Sequence, residues 1–210
     1  MSVSPSTRPP GRPRSIDPRR IAAVALELFW LHGFEAVTLD QVADAAGVSR
    51  STLRRSFPTK TDLLWDRLDE DNTALGAALE AAACEQDTMR VVCREVPRML
   101  RYRADELDVL RRQTLLIAGR ERSDGAIPSR LDTTYVLLAS FFEARWGSAR
   151  RDVAEIAAST VTVASWRAMV QWARSSDATP EHHQVVALTT LARGFDAVPA
   201  LRPPGARSER

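Results

Sequence analysis

Residues 38–57 read TLDQVADAAGVSRSTLRRSF, two short helical patterns on either side of a glycine. Thr38 and Gln41 form a Thr-x-x-Gln capping box, in which side chain and backbone satisfy each other across the first turn of a helix. Leu39, Val42, Ala43 and Ala46 continue at helical spacing until Gly47 breaks the run. Ser49 then caps a second short helix that runs to Phe57 and stops before Pro58. Two short helices crossing at a sharp angle need a small residue at their contact, a turn residue able to take positive φ, and an inward apolar residue on the second helix. Ala43, Gly47 and Leu53 supply these at helix-turn-helix spacing. With Leu53 and Phe57 turned inward, the 3.6-residue period sends Ser51 and Arg55 outward, with Thr52 and Arg54 on the flanks and Arg50 at the N-terminal end. Arginine bonds bidentately to guanine, and Ser and Thr hydroxyls reach bases or phosphates. The face therefore suits duplex DNA, with Arg54 and Arg55 as the leading base contacts.

Upstream, Asp17 is a good cap and Pro18 suits the first helical position, and Ile21, Val24, Ala25, Leu28 and Phe29 follow in register up to Gly33. Residues 1–16 are rich in Ser, Pro and Arg without periodicity and read as a flexible basic arm. Its Gly11-Arg12-Pro13-Arg14 somewhat resembles the minor-groove core of an AT-hook, and contact of Arg12 with DNA stands beside plain solvation as a reading.

Downstream, Thr59 with Asp62 predicts a fourth helix running on to Leu79. Helical spacing continues through Met89 to Leu100, with Pro97 expected to kink or end that helix, then Leu107 to Ile117 and Leu131 to Trp146 after a loop from Ser123 to Pro128. A long segment spans Asp152 to Arg174, and a last helix opens at Thr179-Pro180 and ends near Phe195. No strand alternation appears, so the reading is all-α with about nine helices. The domains expected are the arm 1–16, a DNA-binding domain 17–63, a larger helical domain 64–196, and a disordered tail 197–210.

Composition narrows the function classes. The net charge of the 210 residues is only +2, but residues 1–60 hold nine Lys+Arg against five Asp+Glu, a net of +4, which leaves 20 against 22, or −2, for the rest. Phosphate neutralisation needs such local positive charge rather than a basic total. An N-terminus with Pro and Arg where a signal peptide needs an apolar core argues for a cytoplasmic protein. The apolar stretch Ile156 to Trp172 is interrupted by Ser, Thr and Arg and falls short of a membrane span. Cys84 and Cys93 lack metal-ligand spacing, and His32, His182 and His183 share no motif with a nucleophile, so neither a metal, a cofactor nor a catalytic site is expected.

The stretch IAAVALELFWLHGFEAVTLDQVADAAGVSRSTLRRSFPTKTDLL, Ile21 to Leu64, closely resembles the DNA-binding domain of TetR-family regulators. The resemblance implies that Thr38 contacts a phosphate, that Arg50, Ser51, Thr52 and Arg54 lie in the major groove beside the cap Ser49, and that Lys60, the only lysine of the chain, holds a phosphate. Arg54, Arg55 and Ser56 depart from the Tyr and aromatic or His residues common there, which points to G-rich half-sites. Phe57-Pro58-Thr59-Lys60 and Trp65 are also similar to family members associated with mycofactocin redox systems, some of which answer to acyl-CoA thioesters.

The resemblance further implies a ligand-binding domain that dimerises, here through the helices near 152–174 and 181–195, to place two recognition helices on a palindromic operator. The 152–174 segment is apolar nearly all round, which predicts cover on both sides. Tyr102, Tyr135, Phe142, Trp146, Trp166 and Met169, with Arg167 as a polar anchor, are the candidate lining of a pocket for a small apolar or amphipathic effector; ordinary core packing is the rival reading for each. An effector there would shift the fourth helix and lift repression. A ligand-independent architectural DNA-binding protein is the alternative.

Overall fold

The computed structural model describes residues 17–100, 102–121, 129–175 and 177–195. The expected arm with Arg12, the loop 123–128 and the tail from 197 lie outside them. The described residues form nine α-helices and no strand. The chain divides into two compact units between Leu63 and Leu64.

In the first unit, α1 (Pro18–His32) starts at Asp17, whose side chain accepts from the Arg19 N–H at 3.0 Å, and ends at Gly33 with φ 85°. α2 (Leu39–Ala46) starts at Thr38, where both halves of the capping box are made. It ends at Gly47, whose φ of 68° is left-handed; the Gly47 and Val48 N–H groups return to the Asp44 and Ala43 carbonyls at 3.2 and 3.0 Å. A side chain there would pay the left-handed penalty that glycine avoids. α3 (Arg50–Ser56) follows its Ser49 cap. Ile21, Ala25 and Phe29 of α1, Val42 and Ala43 of α2 and Leu53 of α3 are all buried and close one small core, with the Phe29 and Phe34 rings 4.8 Å apart.

The second unit comprises α4 (Leu68–Ala81), α5 (Thr88–Arg98), α6 (Leu107–Glu121), α7 (Asp132–Trp146), α8 (Arg151–Arg174) and α9 (Glu181–Phe195). α8 is central, packed against α6, α7 and α9, while α5 lies on α9 and α4 on α5 and α7. Leu75, Val92, Leu138, Phe142, Val161 and Leu188 are fully buried at the contacts.

One expectation needs correction. Thr59 and Asp62 do pair, Thr59 N–H to Asp62 Oδ2 at 2.7 Å, but they open one 3₁₀ turn (Thr61–Leu64), and α4 begins only at Leu68. A capping box satisfies a first turn without obliging the helix to continue. Pro97 sits in the last turn of α5, which ends at Arg98, as expected of a residue that removes one helix hydrogen bond and crowds the preceding turn. Within the single chain α8 buries one broad side, the side expected to meet the core, while Ile156 is 61% exposed and Glu155, Ser159 and Arg167 share the open side. No helix among the described residues is long and apolar enough to cross a membrane.

Candidate functional site

The outer face of α3 carries the residues that the pattern points to. Ser51, Arg54 and Arg55 are exposed and Thr52 half-buried, while Leu53 is buried against the unit's core. The Ser49 hydroxyl accepts from the Thr52 N–H at 3.1 Å and lies 2.9 Å from the Ser51 and 2.8 Å from the Thr52 hydroxyl, so three hydroxyls share one network at the helix start. Arg54 and Arg55 make no hydrogen bond or ion pair among the described residues, which leaves two guanidinium forks on an open face. Arg50 is held differently: its Nε lies 3.1 Å from Asp40 of α2, and both groups are exposed. An exposed pair of this kind contributes little to stability and exchanges readily for a phosphate. Nothing in the spacing of Asp40 and Arg50 signals it, because the pair depends on how α2 and α3 cross.

Two residues expected to touch phosphate are occupied within the chain. Thr38 is exposed, but its hydroxyl accepts from the Gln41 N–H at 3.2 Å and lies 3.1 Å from Gln41 Oε1. The Lys60 ammonium donates to the carbonyls of Phe34 at 2.7 Å, Val37 at 3.0 Å and Glu35 at 3.4 Å, and stands over the Phe34 ring. All three of its protons are directed at the loop between α1 and α2.

In the second unit a cavity of about 110 Å³ opens among α4 to α9. Leu68, Val96, Met99, Leu110, Ile117 and Leu138 give it an apolar wall. Of the candidate lining residues, Tyr102, Trp166 and Met169 lie in that wall, and Trp65 joins them with its ring 5.9 Å from that of Trp166. Tyr135, Phe142, Trp146 and Arg167 do not line it. Phe142 is fully buried and stacked on Trp146 at 4.7 Å within the helical core, Tyr135 packs against the same core, and Arg167 is exposed on the open side of α8. The Glu143 carboxylate pairs with Arg151 at 2.7 Å.

Several polar residues of the cavity escape a reading that looks for aromatics. Asp71 accepts from the Tyr102 hydroxyl at 3.0 Å, and burial pushes its pKa up to about 6, opposed by that hydrogen bond and by the Arg67 charge. Burial, with the Asp71 charge beside it, pushes the Tyr102 phenol up as well. Arg67 pairs with Glu106 at 2.9 Å and lies 4.3 Å over the Tyr102 ring. Gln113 on α6 donates to the Leu64 carbonyl, and Gln184 on α9 donates to the Ser165 carbonyl at 2.7 Å. One signal for Gln184 was present: it sits at i, i+4, i+7 with Leu188 and Leu191, a polar residue on an apolar stripe. No cluster of metal-ligating side chains occurs among the described residues.

Residues 21–65 match the bacterial regulatory proteins of the tetR family. A Mycobacterium tuberculosis protein described as a mycofactocin biosynthesis transcriptional regulator, MftR, is 47% identical over 55 residues, 26% of this chain and 28% of that one. The HTH-type transcriptional repressor ComR of Escherichia coli is 34% identical over 80 residues, 38% of each chain. The matched segments thus span well under half of these relatives. Among solved structures, a TetR-like regulator of Rhodococcus sp. RHA1 covers 89% of this chain and 100% of its own at 18% identity and a TM-score of 0.52. Thermus thermophilus FadR, a TetR-family repressor crystallised with lauroyl-CoA, covers 90% and 100% at 20% identity and a TM-score of 0.50. At such identities the likeness is one of fold.

Proposed function

We propose that this chain, whose residues 21–65 match the bacterial regulatory proteins of the tetR family, is a DNA-binding transcriptional regulator of that family: a cytoplasmic, dimeric repressor released from a palindromic operator by a small molecule. The observation that carries the DNA part is the open face of α3, where Ser51, Arg54 and Arg55 project from a helix anchored by buried Leu53. Arg54 and Arg55 contact guanine edges, the Ser49, Ser51 and Thr52 hydroxyls contact bases or phosphates, and Arg50 leaves Asp40 for the backbone. Thr38 lies at the N-terminus of α2, where unpaired N–H groups favour a phosphate. Lys60 acts from within: its three carbonyl contacts hold the loop that presents Thr38.

Dimerisation is supported by the exposed apolar side chains on the last two helices. Ile156 of α8 and Val185 and Val186 of α9 are 61%, 41% and 51% exposed. Two helices from each subunit would close these patches and set the spacing of the two α3 helices along DNA. The cavity among α4 to α9 is the effector site. Its wall includes Gln113, which holds the Leu64 carbonyl at the start of the second unit, so a ligand that displaces this amide changes the segment entering that unit.

The test is selection of random duplexes by the full-length chain followed by sequencing. An enriched inverted repeat supports the proposal, and enrichment that follows base composition alone would refute it.

A further inference from the structure

The polar atoms of the cavity are unevenly divided between acceptors and donors. Asp71 presents a carboxylate, and the Tyr102 hydroxyl has already committed its proton to it at 3.0 Å. Gln184 is fully buried, and its Nε2 donates to the Ser165 carbonyl. That bond fixes the orientation of the amide, because exchanging its O and N would set two carbonyl oxygens against each other. Gln184 Oε1 is then a buried acceptor without a donor, and the Ser165 hydroxyl beside it is also unpartnered. Buried polar groups in folded proteins are nearly always paired, so each unpaired one asks for an explanation.

The donors are mostly engaged. Gln113 Nε2 serves the Leu64 carbonyl, and Arg67 Nη1 serves Glu106. Arg67 Nε is buried without an acceptor, but its charge is matched by Glu106 and shared with the Tyr102 ring. Among the described residues that line the cavity Arg67 is the cation, and it stands between the carboxylates of Asp71 and Glu106. A carboxylate ligand would bury a further anion in this setting. A protonated amine would supply a balancing positive charge, and the wall includes two indole rings, Trp65 and Trp166, a residue type that attracts cations.

We propose that the cavity takes an apolar amine, whose protonated nitrogen donates to the Asp71 carboxylate and whose hydrocarbon or aromatic body fills the space between Leu68, Val96, Ile117 and the two tryptophans. Gln184 Oε1 accepts from a second N–H or O–H where the ligand carries one. This assignment rests on the reading of the cavity as an effector site and names what that effector is. A void of about 110 Å³ suits a body the size of one ring or a short chain.

The experiment titrates the full-length chain by calorimetry at pH 7.5 with three matched probes: 3-phenylpropylamine, 3-phenylpropanol and 3-phenylpropanoate. The amine is expected to bind at least about tenfold more tightly than the alcohol, the worth of one charge-assisted hydrogen bond, with the carboxylate weakest. Asp71→Asn is expected to remove the amine's advantage and leave the alcohol within about twofold of its original affinity. Equal binding of the three, a carboxylate or alcohol in first place, or no binding by any would overturn the proposal, and this order on the unaltered chain decides it even if the variant fails to fold. Operator affinity measured with and without saturating amine separates the two readings. Amine binding that leaves operator affinity unchanged removes the effector role and keeps the ligand class.

Discussion

The Lys60 ammonium lies 2.7 Å from the Phe34 carbonyl oxygen and 4.4 Å from the centroid of the Phe34 ring, so one cation ties the end of the first unit to the loop before α2. A hydrogen bond made by a charged group is worth about 1.5–3 kcal/mol, and Lys60→Met should cost a sum in that range in thermal or denaturant unfolding. DNA affinity should fall with it while the salt dependence of binding keeps its slope. A slope shallower by about one unit would mean that Lys60 neutralises a phosphate instead.

Ile156→Asp or Val186→Asp places a charge on an apolar patch that is solvent-exposed in the single chain. Within the monomer such a change should move stability by about 0.5 kcal/mol or less. In a dimer it buries an unpaired charge, so sedimentation should report a shift to monomer and operator affinity should fall steeply. A variant that sediments as the parent does would place the interface elsewhere.

Asp71 gives the fold a dependence on pH whose sign is set by its raised pKa. Its carboxyl titrates at about 6 in the folded chain against 3.8 as the ordinary value, so between these values the folded state holds more protons than the unfolded one. Its contribution is then most favourable at low pH, and stability declines as pH rises through that window. The groups facing it are Tyr102 and Arg67, which favour ionisation or pair with it, and Glu70 and Asp66, which oppose it. The penalty above pH 6 is at most about 3 kcal/mol, and less because the carboxyl stays partly solvated. Glu85, Glu95 and Asp177, all lowered by Arg or His partners, act in the opposite sense below the usual carboxylate range. Asp71→Asn is expected to melt higher than the parent at pH 7.5, and the difference should shrink toward pH 4.5. A constant difference across that range would show that the carboxyl is not the source.

The helix-turn-helix was legible because local chemistry determines it: Thr38, Gly47 and Ser49 act on atoms within a few residues, and Leu53 and Arg55 take opposite faces by period alone. The fourth helix was misjudged for the complementary reason. Thr59 and Asp62 satisfy a first turn, and only the packing around Leu64 and Trp65 decides that the chain breaks before Leu68. The cavity was the least legible part. Phe142 and Trp146 share the composition of a pocket wall with Tyr102 and Trp166, and tertiary packing alone separates core from lining. Arg167 interrupts the apolar pattern of α8 and is solvent-exposed, whereas Asp71 and Gln113, which no pattern marks, line the cavity.

If α3 reads bases, Arg54 contacts a base edge, and Arg54→Ala removes that contact. Anisotropy titrations of the parent and the variant on the selected operator and on a scrambled duplex, at one salt concentration, should show a loss of about 1–3 kcal/mol on the operator and little change on the scrambled sequence. The same loss on both duplexes would contradict base recognition and reduce Arg54 to a backbone contact.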